Sequence, residues 1–130
     1  MADNQKKLED LIVDEDELNE ELLAGLLSNY VRIGNDSGRL VLQPAFHELT
    51  SDKQVAVVLL SQKAKTELDM AESEWLTPSD IAELSGVKKG TVYPAVRNLD
   101  DEGLAENDDG NYRIPTYNLE KTEQFIKEDK

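Results

Sequence analysis

Cysteine is absent from this chain of 130 residues. That removes disulfides, thiolate nucleophiles, thiol redox switches and cysteine-bound zinc together. Histidine occurs once, as His47, beside Phe46 and Glu48 and with no second histidine to complete a ligand set. It reads as a surface or half-buried side chain near a helix start rather than as a metal ligand. Long apolar runs are missing too. The longest, "VAVVLL" from Val55 to Leu60, is far short of the ~20 residues a membrane span needs. The opening "MADNQKKLED" has no hydrophobic region of the signal-peptide kind. The expectation is a soluble cytoplasmic protein with no membrane contact. No nucleophile–base pair, phosphate loop or metal cluster is visible, so neither an enzyme nor a cofactor is expected.

Cations are scarce. Lys and Arg total 14 against 28 acids, a formal net charge of −14. Such a balance suits an acidic protein-binding module, or the solvated carboxylate surface of a salt-in halophile. Acids in nearly every segment favour the halophile, although ten Lys against four Arg weigh the other way. At ~1 M salt the Debye length is only about 3 Å, so net charge there says little about partners.

What is present is helical patterning with two small β interludes. Residues 1 to 13 read as frayed or partly helical, with Leu8, Leu11 and Ile12 as the apolar anchors. After a cap at Asp14 or Asp16, Leu18, Leu22, Leu23, Leu26, Leu27 and Tyr30 recur at helical spacing, opposite Glu17, Glu20 and Glu21. Laying this helix on the core is its plainer use. A protein partner recruited through its acidic face is the other. Tyr30–Ile33 and Arg39–Leu42 flank "GNDSG", a hairpin signal. "SDKQ" at Ser51 predicts a capping box opening a helix to about Met70. Within it Val55–Leu60 is apolar on all sides and should be buried from two directions; a strand is the alternative for that run.

From Trp75 the signals tighten. "TPSD" from Thr77 predicts a capped two-turn helix with Pro78 at its first position, and "SGV" a tight turn at Gly86. A second helix should then run from Lys89–Gly90 to about Glu102 and stop at Gly103. Short strands Leu104–Glu106 and Asn111–Ile114 follow around an Asp-Gly turn, then a last helix from Leu119 to Lys127. This order is that of a winged helix-turn-helix. The expected fold is mainly α with small β: an N-terminal acidic helix and β-hairpin extension over residues 1–48, and a winged helix with its C-terminal helix over 49–130. Ile81, Leu84, Val92, Val96, Leu99 and Leu104 should be buried together.

The second helix of the pair carries the functional signal. Leu84 to Leu99 is the longest acid-free run in the chain and holds Lys88, Lys89 and Arg97. Val92, Val96 and Leu99 fall on one helix face; Lys89, Tyr93 and Arg97 fall on another. A duplex reader needs this split: one face docks, while cations and a phenol meet phosphates and base edges. Pro94 is expected in the first turn, where a missing N–H costs little.

The run "KKGTVYPAVRNLDDEGLAE" resembles the recognition-helix signature of PadR-type winged-helix transcriptional regulators at Gly90, Thr91, Val92, Tyr93, Pro94, Leu99, Glu102, Gly103 and Leu104. The whole-chain arrangement also looks like small haloarchaeal winged-helix proteins. The resemblance implies dimerisation and operator binding through Lys88–Asn98. Here, unlike in such regulators, the winged helix is C-terminal, the last helix is short and about 45 residues precede the motif. The expected contacts to double-stranded DNA are Thr77, Ser79, Lys88, Lys89, Thr91, Tyr93, Arg97, Asn98 and, on the wing, Arg113. The wing tip carries Glu106, Asp108 and Asp109 instead of the usual cations, which keeps a second function open: a winged helix used as a protein-interaction module. A homodimer is expected because helix-turn-helix operators are usually paired half-sites. Its surface should come from Leu22–Tyr30, Val55–Leu60 or the final helix, the first two being favoured.

Overall fold

The computed structural model describes residues 7–128. The first six residues of the expected frayed segment lie outside them. A 3-10 turn, Leu8–Leu11, precedes helix α1, Glu15–Leu27. Asp14 is the cap: its carboxylate accepts from the amides of Asp16 and Glu17 at 3.1 and 3.2 Å, a contribution of about 1 kcal/mol. Leu23, Leu26 and Leu27 are the buried side of α1. Leu8, Leu11 and Ile12 do not anchor the chain; all three are largely exposed, because among the described residues their single 3-10 turn has no second element against which to bury them.

Strands β1 (Val31–Ile33) and β2 (Leu40–Leu42) pair antiparallel, Arg32 opposite Val41. The loop closes with the Gly34 amide on the Arg39 carbonyl at 2.8 Å. A one-turn helix α2, Pro44–His47, buries Phe46 completely and leaves His47 exposed at its end, edge-on to the Phe46 ring.

Helix α3, Ser51–Glu67, is the centre of the molecule. Val55 to Leu60 are all wholly buried, since α1, α4, α5, α6 and β4 pack around it. The surface expected of Val55–Leu60 in a dimer is therefore used up inside the monomer. The capping box at Ser51 does not form either. Thr50 occupies the cap position with no side-chain bond, so Ser51 is already inside the helix.

Helix α4, Pro78–Ser85, opens with the predicted box: the Thr77 hydroxyl accepts from the Asp80 amide and the Asp80 carboxylate from the Thr77 amide, both at 3.1 Å. Gly86 follows at φ 77°, a conformation that costs a residue with a Cβ 1 kcal/mol or so. The buried Ser85 hydroxyl accepts from the Val87 amide at 3.0 Å and fixes the turn into α5, Lys89–Asp101. Ile81, Val92, Ala95, Val96, Leu99 and Leu104 are buried in one cluster, whereas Leu84 is only half-buried at its edge.

Strands β3 (Glu106–Asp108) and β4 (Asn111–Arg113) form the wing around Asp109 and Gly110, both at positive φ, as a tight hairpin turn requires. The wing begins two residues later than its sequence predicts. Gly103 turns left-handed at φ 78°, and the amides of Leu104 and Ala105 then bond back to the Leu99 carbonyl, so both residues finish α5. Leu76 joins the wing as a single-residue bridge, exchanging both backbone bonds with Tyr112 at 2.8 and 2.9 Å.

After a 3-10 turn at Thr116–Asn118, α6, Leu119–Lys127, packs on α1 and α3. The Asn118 amide donates to the carbonyls of Gly103 and Leu104. One hydrophobic core thus runs from Leu23 to Ile126, through both the N-terminal extension and the winged helix. Among the described residues no helix is long and apolar enough to cross a membrane.

Candidate nucleic-acid interface

α5 is amphipathic in the sense that matters for a reading helix. Val92, Ala95, Val96 and Leu99 are at most 1% exposed, docked on α3 and α4. Lys88, Lys89, Thr91, Tyr93, Arg97 and Asn98 are exposed. Among the described residues, none of Lys88, Lys89 and Arg97 lies in an ion pair. At the far end of this face the Asn98 amide donates to the Asp52 carboxylate at 3.2 Å, which holds Asn98 against the start of α3.

The start of α5 is open. Lys88 is the cap residue and makes no side-chain bond to the first turn. The Thr91 amide bonds back to the Lys88 carbonyl at 2.8 Å, which leaves the Lys89 and Gly90 amides at the positive end of the helix as donors for a phosphate oxygen. Pro94 is not in the first turn as its sequence setting suggests. It is the sixth helical residue, and its missing N–H deprives the Gly90 carbonyl of its helical donor. Gly90 and Pro94 are both exposed, so the missing bond falls at the surface and not in the core. A Cβ on Gly90 would meet open space, so packing within the chain does not demand a glycine there.

The remaining sites expected from sequence have other partners. Thr77 is half-buried and its hydroxyl serves the α4 cap. Ser79, one residue into the helix, is exposed. Arg113 is fully engaged on the wing. Its Nε donates to Glu106 at 3.0 Å, one Nη lies 3.4 Å from Glu74, and its guanidinium stacks 4.6 Å from the Trp75 ring centre. Glu74 also pairs with the buried Lys63 at 2.6 Å, and the Tyr117 hydroxyl donates to Glu106. These contacts shift three groups. The Tyr117 hydrogen bond, and then that of Arg113, hold the Glu106 carboxyl below the usual glutamate range. The bond to Glu106 holds Arg113 and Tyr117 above their ordinary values. Sequence reading missed this network because its members are far apart in the chain. Ser85 was missed as well, although a serine just before a glycine turn is a local signal.

The fold is a winged helix-turn-helix whose α5 carries an unpaired cationic face, and residues 51–119, more than half of the chain, match the model of the family described as "Sugar-specific transcriptional regulator TrmB". The chain belongs to the TrmB family. The matched span starts at α3 and ends at the first residue of α6, so it coincides with the winged helix and leaves α1 and the β1–β2 hairpin outside. TrmB membership makes the chain a DNA-binding transcriptional regulator, which is not an enzyme class. Its agreement with the PadR-type resemblance lies at the level of the winged helix and of regulation. No curated protein and no solved structure matches the chain.

Proposed function

We propose that this TrmB-family chain regulates transcription by placing α5 in the major groove of double-stranded DNA. The observation that carries the reading is the division of α5: an apolar face sunk in the core, and Lys88, Lys89 and Arg97 exposed without carboxylate partners. In this reading Lys88, Lys89, Thr91 and the open first turn of α5 meet phosphates, with Thr77 and Ser79 at the start of α4 beside them. Tyr93 donates to a phosphate or stacks on a sugar. Arg97, two turns beyond Lys89, forks onto a guanine edge or a phosphate. Asn98 closes the face. Arg113, shared by Glu106 and Glu74, holds the wing in shape rather than meeting phosphates itself.

The working unit is a homodimer on paired half-sites. With Val55–Leu60 buried, the apolar groove of about 270 Å³ beside Leu23, Leu27, Val31 and Leu68 is the surface on α1, β1 and α3 left for a second copy. A monomer mass in light scattering at molar salt would count against the dimer.

The reading is tested by anisotropy titrations of labelled genomic fragments in KCl, with Arg97→Ala beside Lys121→Ala. Each removes one positive charge, but Lys121 lies on α6 and not on α5. Arg97→Ala is expected to weaken binding about ten- to a hundredfold, the loss of one bidentate contact. Lys121→Ala is expected to change little. Two folded variants that both bind like the parent would replace DNA reading with protein interaction, the function that the acidic wing tip favours.

A further inference from the structure

The exposed apolar side chains are not scattered. Among the described residues, six of the nine large ones are Leu8, Leu11, Ile12, Val13, Leu18 and Tyr117. They belong to the segment leading into α1, to the first turns of α1 and to the turn before α6. Val13, Leu18 and Tyr117 meet there with Leu22 and Leu119 to line an open groove of about 540 Å³. An apolar groove at the surface of a small domain marks a binding site when something suited to it exists.

Charge identifies the occupant. Glu15, Asp16 and Glu120 line the same groove, and no Lys or Arg does. From Leu8 to Val31 the chain has eight acids and no Lys or Arg. None of these acids forms an ion pair among the described residues. A second copy seated here through the same face would set carboxylates against carboxylates. No residue of α5 lines the groove.

We propose that this groove docks a cationic, amphipathic polypeptide segment of another protein. Large apolar side chains of the partner fill the space between Val13, Leu18 and Tyr117, and its Lys or Arg residues meet Glu15, Asp16 and Glu120. The chain then has two separate surfaces, a cationic one on α5 and an acidic apolar one at the start of α1. The α1 side of the second lies outside the span matched by the TrmB family, whereas Tyr117 and Leu119 lie at the end of that span, and the proposal does not depend on DNA reading.

The test uses the full chain and a synthetic helical peptide of about four turns, with leucine on one face and lysine on the other. A lysine-only peptide of equal charge is the control, and binding is followed by calorimetry. Leu18→Gln with Val13→Gln is expected to weaken binding of the leucine–lysine peptide about tenfold, from lost apolar burial. Val41→Gln, an equally exposed site on β2, should leave it unchanged, and the lysine-only peptide should not distinguish the variants. Glu15→Gln with Glu120→Gln should weaken binding in dilute salt and have a smaller effect at about 1 M KCl, where screening removes charge attraction. Circular dichroism checks that each variant is folded. Equal losses for Val41→Gln and for Leu18→Gln with Val13→Gln would overturn the proposal, because binding would then be non-specific. So would a dimer in light scattering that Leu18→Gln with Val13→Gln splits, because a second copy would then own the groove.

Discussion

Arg97 and Arg113 are the same residue type in two surroundings. Arg97 projects from a helix whose other face is locked in the core, and it meets no carboxylate among the described residues. Arg113 sits in a two-stranded wing and is held by Glu106, Glu74 and the Trp75 ring. The difference is one of available charge. A guanidinium already shared by two carboxylates presents little net field to a phosphate, whereas an unpaired one presents all of it. A positive residue on a wing is therefore not a DNA contact by virtue of its place in the fold. In this protein the wing's arginine fastens β4 to β3 and to Glu74 and Trp75, and α5 carries cations without carboxylate partners.

The most damaging test of the contrast removes the docking of α5. Leu99 is wholly buried at the end of its apolar face. Leu99→Ala should cost about 2–5 kcal/mol of stability, from lost transfer energy and the cavity left behind. Urea unfolding measures this, and DNA binding should fall in proportion to the unfolded fraction. A loss well under 1 kcal/mol would mean that the helix is not held as described.

Next in size is the comparison of the two arginines themselves. Arg97→Ala should reduce DNA affinity about ten- to a hundredfold with little change in stability. Arg113→Ala should do the reverse: a lower urea midpoint, and affinity within about threefold of the parent. The opposite order in an anisotropy titration would return the wing to the phosphates.

A smaller effect concerns pH. The folded Glu106 carboxyl titrates below its ordinary range. Its contribution to stability is present above the unfolded-state value and is lost as pH falls through the folded one. The raised Tyr117 and Arg113 act on the other limb, where their contribution is present at neutral pH and lost only at alkaline pH. Glu106→Gln should lower the urea midpoint at neutral pH and flatten its fall toward acid. Identical acid limbs for parent and variant would show that the wing network adds nothing measurable.

The smallest change expected is at Gly90. Alanine there meets open space and should raise helix stability by up to about 1 kcal/mol. A gain in thermal midpoint accompanied by weaker DNA binding would sharpen the contrast, since the glycine would then serve close approach to a ligand rather than folding. Unchanged binding would remove Gly90 from the interface.

Local rules account for much of this protein. The Asp14 cap, the Thr77–Asp80 box, the left-handed Gly86 and Gly103, the Asp-Gly hairpin and the two faces of α5 all follow from interactions within a few residues along the chain. Sequence alone therefore determined the winged-helix order and the division of α5 into a docking face and a cationic face. Tertiary structure decided what depends on distant partners. It spent Val55–Leu60 inside the monomer, because five elements converge on α3. It left Leu8, Leu11 and Ile12 uncovered, because no element among the described residues converges on them. It drew Leu104 and Ala105 into the end of α5. It also tied up Arg113 through Glu74, 39 residues away in sequence, since an ion pair depends on distance in space and leaves no periodic mark on the chain.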